Sequence, residues 1–379
     1  MIIELHTIRS VPPGSSNRGQ DGSPKSAWFG GHPITVWSPQ SQKRAWRAEL
    51  TEGPWPGAVR TRHLLPLLSD GLTRLGRSDP AEVDLVVRHA LETCGIGFPA
   101  SDPRATEYLV FAGHDEMAAL IETMHEAKHW DALLSAAPVR APAKPKKVRR
   151  QDPALREVRD VFDEALAQGS QSVEIAVAGR MVADRTDLNV VSATYTSFGI
   201  STHRSTAEVD WFAAVDDLAR DDGAGMLGYQ EIVAPTMYTC AVVDARQLTR
   251  NLHGDLGLAG QGLRAWLWSV ARTMPTGKEH AMFARVMPCA VLAVVREHGM
   301  YSLADAFARP VKAREADGDL ALASARRMLG HLAARREAYG DVAAAHLVTT
   351  LGDLGDSPGV SRTSYPALAE AGALASELP

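Results

Sequence analysis

Three short stretches carry residue types whose spacing could do chemistry. HEAKH, residues 125–129, sets His125 and His129 one helical turn apart with a glutamate between them, the H-E-x-x-H constellation of zinc hydrolases. A third ligand is needed downstream, but WDALLSAAP and a basic, Pro-rich run follow, so a solvated helix face is the simpler reading. GAGMLG, residues 223–228, has G-x-G-x-x-G spacing. A dinucleotide site requires a strand before it and a helix after it; here the acidic DDLARDD precedes, which opposes pyrophosphate, and the segment reads as a flexible loop. SPQSQKRAWR, residues 38–47, places Gln40, Lys43, Arg44 and Arg47 at i, i+3, i+4 and i+7. That spacing makes one polar stripe on a helix and leaves Trp46 and Leu50 for the core. Its cations suit phosphates, and a helix start capped by Ser38 adds backbone donors for an anion. An ordinary amphipathic helix has the same pattern, so a function needs support from elsewhere.

The elements around these stretches follow from local signals. MIIELHTIRS alternates as a strand with Glu4 inside it, and a Ser/Gly/Pro/Asn-rich loop runs to Ser26. It lacks the charged leader and cleavage site of a signal peptide, which places the chain in the cytoplasm by default. Residues 34–37 form a second short strand; Pro39 at the first helical position then starts a helix that ends before Gly53-Pro54. VDLVVRHALETC and DEMAALIETMHEAKHWDALL carry helical periodicity. Ser135–Asp152, with three prolines and six cations, reads as a mobile loop. Strands return at VEIAV, NVVSATYTSFGIST, EIVAPTMYTCAVV and CAVLAVV, with helices around 246–252, 262–272, Leu303 and 317–337. A strand and helix, a helical block, then more strands indicate an α+β fold with a helical insertion. No internal repeat is present.

Composition narrows the function classes. The 379 residues are 45% apolar and 22% charged, as expected of a folded globular chain. No apolar run approaches the roughly 18 to 20 residues of a membrane span, so no membrane partner is expected. Cys94, Cys240 and Cys289 are far apart without a C-x-x-C pair, which disfavours a disulfide framework or a thiolate metal site. Net charge is −5, yet residues 1–62 hold eight Lys/Arg against four Asp/Glu. A basic patch in an acidic body can focus a polyanion while the remaining surface repels non-specific contacts. In VDWFAAVDDLARDD, residues 209–222, Trp211 and Phe212 sit among acids. Such a segment cannot clamp phosphates; it can push an apolar wedge between bases, or place both rings in the core.

Taken in order, IELH, N-R, KSAWFGG, SPQSQKRAWR, VEIAVAGRM and VDWFAAVDDL closely resemble the CasC family, the Cascade backbone subunits of type I-E CRISPR systems, over roughly the first 245 residues. Further on the likeness thins to MPTGKEHAMFA and LADAFARPV. The resemblance implies a RAMP-type protein with a modified RRM/ferredoxin-like palm (1–56, 172–203 and, with C-terminal helices, 229–379), inserted helical fingers (57–171, including the loop at 135–152) and a protruding thumb (204–228). It implies a non-enzymatic, cofactor-free role in antiviral defence: several copies head to tail on a CRISPR RNA, other Cascade subunits beside them, and target DNA reached through the guide. Carried over by position, Arg18 and Lys25 lie near the guide backbone, and Ser38, Gln40, Ser41, Lys43, Arg44 and Arg47 grip phosphates. Arg180, after Gly179, belongs to the RNA-binding set, and Met181 and Phe212 bracket a displaced nucleotide. Ala213 stands where the family can carry threonine, and Lys278 in MPTGKEH completes the RNA-binding set. The alternatives are a RAMP endoribonuclease using His6 as acid/base, and the zinc hydrolase of His125 and His129.

Overall fold

The computed structural model describes residues 1–135, 171–182, 186–215 and 224–374, with residues 156, 159, 160 and 217. Most of the Pro-rich stretch, and residues 216 and 218–223 of the thumb segment, lie outside them. In chain order the first elements are β1 (Ile2–Ser10), β2 (Ser26–Phe29), β3 (His32–Trp37), α1 (Pro39–Leu50), β4 (Ala58–Thr61), α2 (Leu64–Arg74) and α3 (Pro80–Thr93). Next come β5 (Val110–Gly113), α4 (His114–His125), α5 (Ala127–Ser135), α6 (Val173–Ala178), β6 (Thr194–Thr196), β7 (Gly199–Ser201), β8 (Glu208–Val215) and β9 (Ala224–Ile232). The rest are β10 (Thr236–Asp244), α7 (Ala245–Asn251), α8 (Leu256–Arg272), β11 (Ala290–Arg296), α9 (Leu320–Tyr339), β12 (Ala344–Thr349), β13 (Val360–Arg362) and α10 (Tyr365–Leu374).

The described residues form two compact units. The first, residues 1–50, 194–246 and 259–379, is built on a mixed sheet in the order β13-β12-β11-β1-β10-β7-β3-β2, with β6 also beside β10. β1 is its centre, antiparallel to both β10 and β11, and its residues from Ile2 to Arg9 are buried. Strand alternation sends neighbouring residues to opposite faces. Ile2 and Ile8 join a core with Tyr238, Leu292 and the α9 residues Met328 and Leu329. Arg9, of the alternate set, donates to the Val270 and Ala271 carbonyls at the end of α8, where a cation satisfies terminal carbonyls and opposes the helix dipole. α9 is capped by Asp319, whose carboxylate accepts from the Leu322 N–H, and stops at left-handed Gly340, two to three residues beyond each of the expected bounds, 317 and 337.

The second unit, residues 51–193 and 247–258, packs Leu64, Leu68 and Leu72 of α2 against Val83, Val86 and Val87 of α3, Leu120 and Met124 of α4, and Trp130 and Leu133 of α5. Two expectations change here. VEIAV is helix α6, not a strand: Glu174 is fully buried and accepts from the Ala58 N–H at 3.0 Å, a tertiary contact that overrides β propensity. Residues 172–193 accordingly cluster with this unit and not with the sheet. The block expected to be wholly helical also contains the β4–β5 pair. Around Leu303 the helix is a single 3-10 turn, Ala304–Phe307. Among the described residues no helix is long and apolar enough to cross a membrane.

Candidate nucleic-acid interface

α1 forms as its sequence predicts. Ala45, Trp46 and Leu50 are buried, and Trp46 meets Trp266 of α8 edge-on at 5.9 Å between ring centroids. Gln40 and Arg44 are exposed, and Lys43 and Arg47 half-buried, so the polar stripe lines the outer side. At the helix start the Ser41 hydroxyl donates to the Ser38 carbonyl at 2.8 Å, and the Ser38 N–H donates to Asn17 Oδ1 at 2.7 Å. Gln42, which the stripe omits, is buried and ties α1 to the sheet through the Trp37 and Ser197 carbonyls at 3.2 and 3.0 Å. Lys43 Nζ donates to the Thr194 carbonyl at 2.9 Å, and burial holds its ammonium below the usual lysine range.

The loop before β2 brings two further cations to the same unit. The Lys25 N–H donates to the Asn17 carbonyl, and the Lys25 carbonyl accepts from Val36 of β3, both at 2.9 Å; Arg18 forms a backbone bridge with Pro24. Asn17 therefore links Arg18, Lys25 and the N-terminus of α1. The loop is also stitched to residues 273–285, because the Gly277 N–H donates to the Ser16 carbonyl at 2.8 Å. A Cβ on Gly277 would lie 2.5 Å from that oxygen, so glycine is required by close approach. Lys278 follows with φ 53°, and its Nζ donates at 2.7 Å to Gln230 Oε1, whose Nε2 donates at 2.9 Å to Asp210. Arg18, Lys25, Ser38, Gln40, Ser41, Lys43, Arg44, Arg47 and Lys278 thus belong to one connected part of the first unit, which reaches the base of the β8–β9 hairpin.

That hairpin overturns the loop reading of GAGMLG: from Ala224 the segment is strand β9, with no helix after it, while Gly223 lies outside the described residues. Nor are the two aromatics core residues, since Trp211 is 73% and Phe212 40% exposed. Trp211 pairs with Tyr229 across the ladder at 5.3 Å between centroids. Phe212, on the other face, lies over Gly228, where a Cβ would come within 2.5 Å of its ring.

In the second unit Met181 projects outward at 82% exposed. Its neighbour departs from the expected surface role: Arg180 is buried and donates to both carboxylate oxygens of Glu116 at 2.7 Å and to the Leu188 carbonyl at 2.9 Å. A guanidinium so committed positions the Met181 backbone and is not presented to a strand of RNA. The H-E-x-x-H geometry is not formed either. α4 ends at His125, Glu126 has extended ψ 130°, and α5 begins afresh at Ala127, so the imidazoles do not share one helical face; His129 is buried with Nδ1 3.1 Å from the Thr123 carbonyl. Among the described residues no group of three His, Cys, Asp or Glu could hold a metal ion. His6 is fully buried in β1 with Nδ1 2.9 Å from the Tyr238 hydroxyl. Burial disfavours its charge, but Cys240 and Glu4 outweigh that and raise it to about 9. An acid–base catalyst must reach its substrate, and this ring is closed inside the sheet.

The family model described as CT1975-like protein matches residues 3–368. The chain belongs to the CT1975-like protein family. Over 99% of its length it is similar, at 28% identity and a TM-score of 0.82, to the whole of a chain in a solved structure of a pre-nicking CRISPR RNA-guided surveillance complex. A chain from another CRISPR RNA-guided surveillance complex, 24% identical, shares the fold with a TM-score of 0.74 over 99% of this chain and all of that one. No curated protein matches. In this CT1975-like chain the sequence reveals the surface cations of α1 but not the groups that hold them in place. Asn17 stands in the N-R pair before Lys25; Gln42 and Gln230 carry no local signal, because Ser197, which accepts from Gln42, is 155 residues away, and Asp210 and Lys278, which bond to Gln230, are 20 and 48 away.

Proposed function

We propose that the chain is a CRISPR RNA-binding backbone subunit of a type I-E Cascade complex. The observation that carries this reading is the run of hydrogen bonds through Asn17, Ser16–Gly277 and Gln230 that joins the start of α1, the Arg18–Lys25 loop and Lys278 to the root of an exposed apolar hairpin. Arg18, Lys25, Lys43, Arg44, Arg47 and Lys278 supply charge to phosphates, with Gln40 adding a neutral donor and Ser38 and Ser41, bonded to each other, shaping the helix N-terminus that faces the RNA backbone. Phe212 and Met181 each offer an apolar side chain against displaced nucleotides. Holding the backbone and interrupting the stack at intervals leaves short runs of bases open for pairing, so sequence reading falls to the guide.

The first unit then corresponds to an RRM-like palm carrying a hairpin thumb, and the second to the fingers. Several copies follow one another along the RNA beside other Cascade subunits in the cytoplasm, and target DNA is engaged through the guide. None of these roles requires a catalytic group. The test is RNA affinity across a salt series for the wild type and for Lys43→Ala with Arg47→Ala. Each phosphate contact on a single strand contributes roughly 0.7 to the log–log salt slope, so losing two flattens it by about 1.4. An unchanged slope and affinity would sink the assignment.

A further inference from the structure

The hairpin segment leaves the sheet after Ser201 and returns at Thr236, and His203, two residues past β7, is bonded to Thr236. Thr236 donates its N–H to His203 Nε2 at 3.1 Å, and His203 Nδ1 lies 2.8 Å from the Arg204 carbonyl. These contacts fix the chemistry of the ring. A nitrogen that accepts from an N–H carries no proton, and one facing a carbonyl must carry it. The imidazole is therefore neutral, protonated on Nδ1, and used at both ends. It reinforces a second link across the same neck, in which the Thr202 N–H donates to the Thr236 carbonyl at 2.9 Å.

We propose that His203 is a positioning residue for the β8–β9 hairpin: its neutral ring clamps the two ends of residues 204–235, beside the Val233–Gly14 backbone pair and the Ser205–Pro33 bond that tie each end to the rest of the unit, and so contributes to where Phe212 stands. Protonation would turn the Nε2 acceptor into a donor facing the Thr236 N–H and open the clamp. The surroundings oppose that charge. His32 of β3 is the titratable group that acts on the ring, and Arg204 follows it in sequence. Thr236, at the start of β10, has no titratable side chain. The loop whose Val311 N–H bonds to the Thr202 carbonyl carries Arg309 and Lys312, and Ser324 of α9 bonds to the Thr202 hydroxyl. Burial holds His203 below its ordinary value of 6.5; the Arg204 carbonyl that accepts from Nδ1 opposes this in part, and His32 adds to the lowering. A depressed histidine favours the neutral fold, so the clamp is complete above that value and weakens as pH falls below it.

Amide hydrogen exchange of β8 and β9 in the full chain, corrected for the intrinsic pH dependence of exchange, reads the clamp without RNA. The expected result in the wild type is exchange rising about two- to tenfold as pH falls from 7.5 through 5.5, the worth of one hydrogen bond. His203→Gln, an uncharged side chain with an acceptor at similar reach, should show no such step, and His203→Leu should exchange fast at every pH. A wild type without the step, an equal step in His203→Gln, or a His203→Leu hairpin as protected as the wild type overturns the proposal. The consequence for Phe212 and displaced nucleotides rests on the proposed function. It is read separately as 2-aminopurine fluorescence in a bound single-stranded RNA. Loss of RNA binding with the exchange step intact would refute the function and leave the clamp standing.

Discussion

Arg44 on α1 and Arg180 after α6 both sit in stretches that resemble CRISPR RNA contacts, yet their surroundings put them to opposite use. Arg44 rides on the outer side of a helix anchored by Trp46 and Gln42, and its guanidinium is exposed. Arg180 is buried, and its guanidinium faces Glu116, which is itself 2% exposed. A cation at the surface is available to a polyanion and is screened by salt. One inside a unit neutralises a carboxylate that would otherwise be stranded. Proximity in a motif does not assign the role; the partner does.

The comparison is broken or sharpened by variants on each side. The largest effect is expected inside: Arg180→Ala leaves the Glu116 carboxylate buried without its partner, which costs about 3–5 kcal/mol. Urea unfolding should report that loss; a cost below about 1 kcal/mol would mean the pair is looser than its geometry. Next, Lys43→Ala with Arg47→Ala should weaken RNA binding by about 3 kcal/mol, two charge-assisted hydrogen bonds at about 1.5 kcal/mol each, the low end of their range for a salt-screened surface. Its unfolding midpoint should move far less than that of Arg180→Ala. Equal destabilisation by both variants would erase the distinction. Phe212→Ala should have the smallest effect on affinity, about 1–3 kcal/mol for one base contact, with the salt slope unchanged and chemical probing showing altered accessibility of one base per subunit.

The existence and faces of α1 were legible, because its proline and its 3.6-residue stripe are local, whereas its anchor to the sheet through Gln42 was not. So were β1 and β11, whose apolar runs fill the middle of the sheet; β10 was read as one strand with the end of β9, from which residues 233–235 separate it. What failed was decided by distant partners. VEIAV has the residues of a strand, but the Ala58 N–H draws Glu174 into a helix. HEAKH has the letters of a helical metal site, but the helix breaks at Glu126 as Arg77 donates to the His125 carbonyl. The hairpin was partly legible: Trp211 and Phe212 stood out among acids, whereas the strand from Ala224 was hidden by its glycines, one of which makes room for the Phe212 ring.

The central claim is that this surface holds a CRISPR guide. Its most direct test is to purify the full chain with its native partners from its source and sequence the RNA that accompanies it. The account predicts RNAs of uniform length sharing repeat-derived ends, bound to several copies of the chain. A purified assembly carrying no RNA, or RNA of mixed length with no shared repeat, would contradict it.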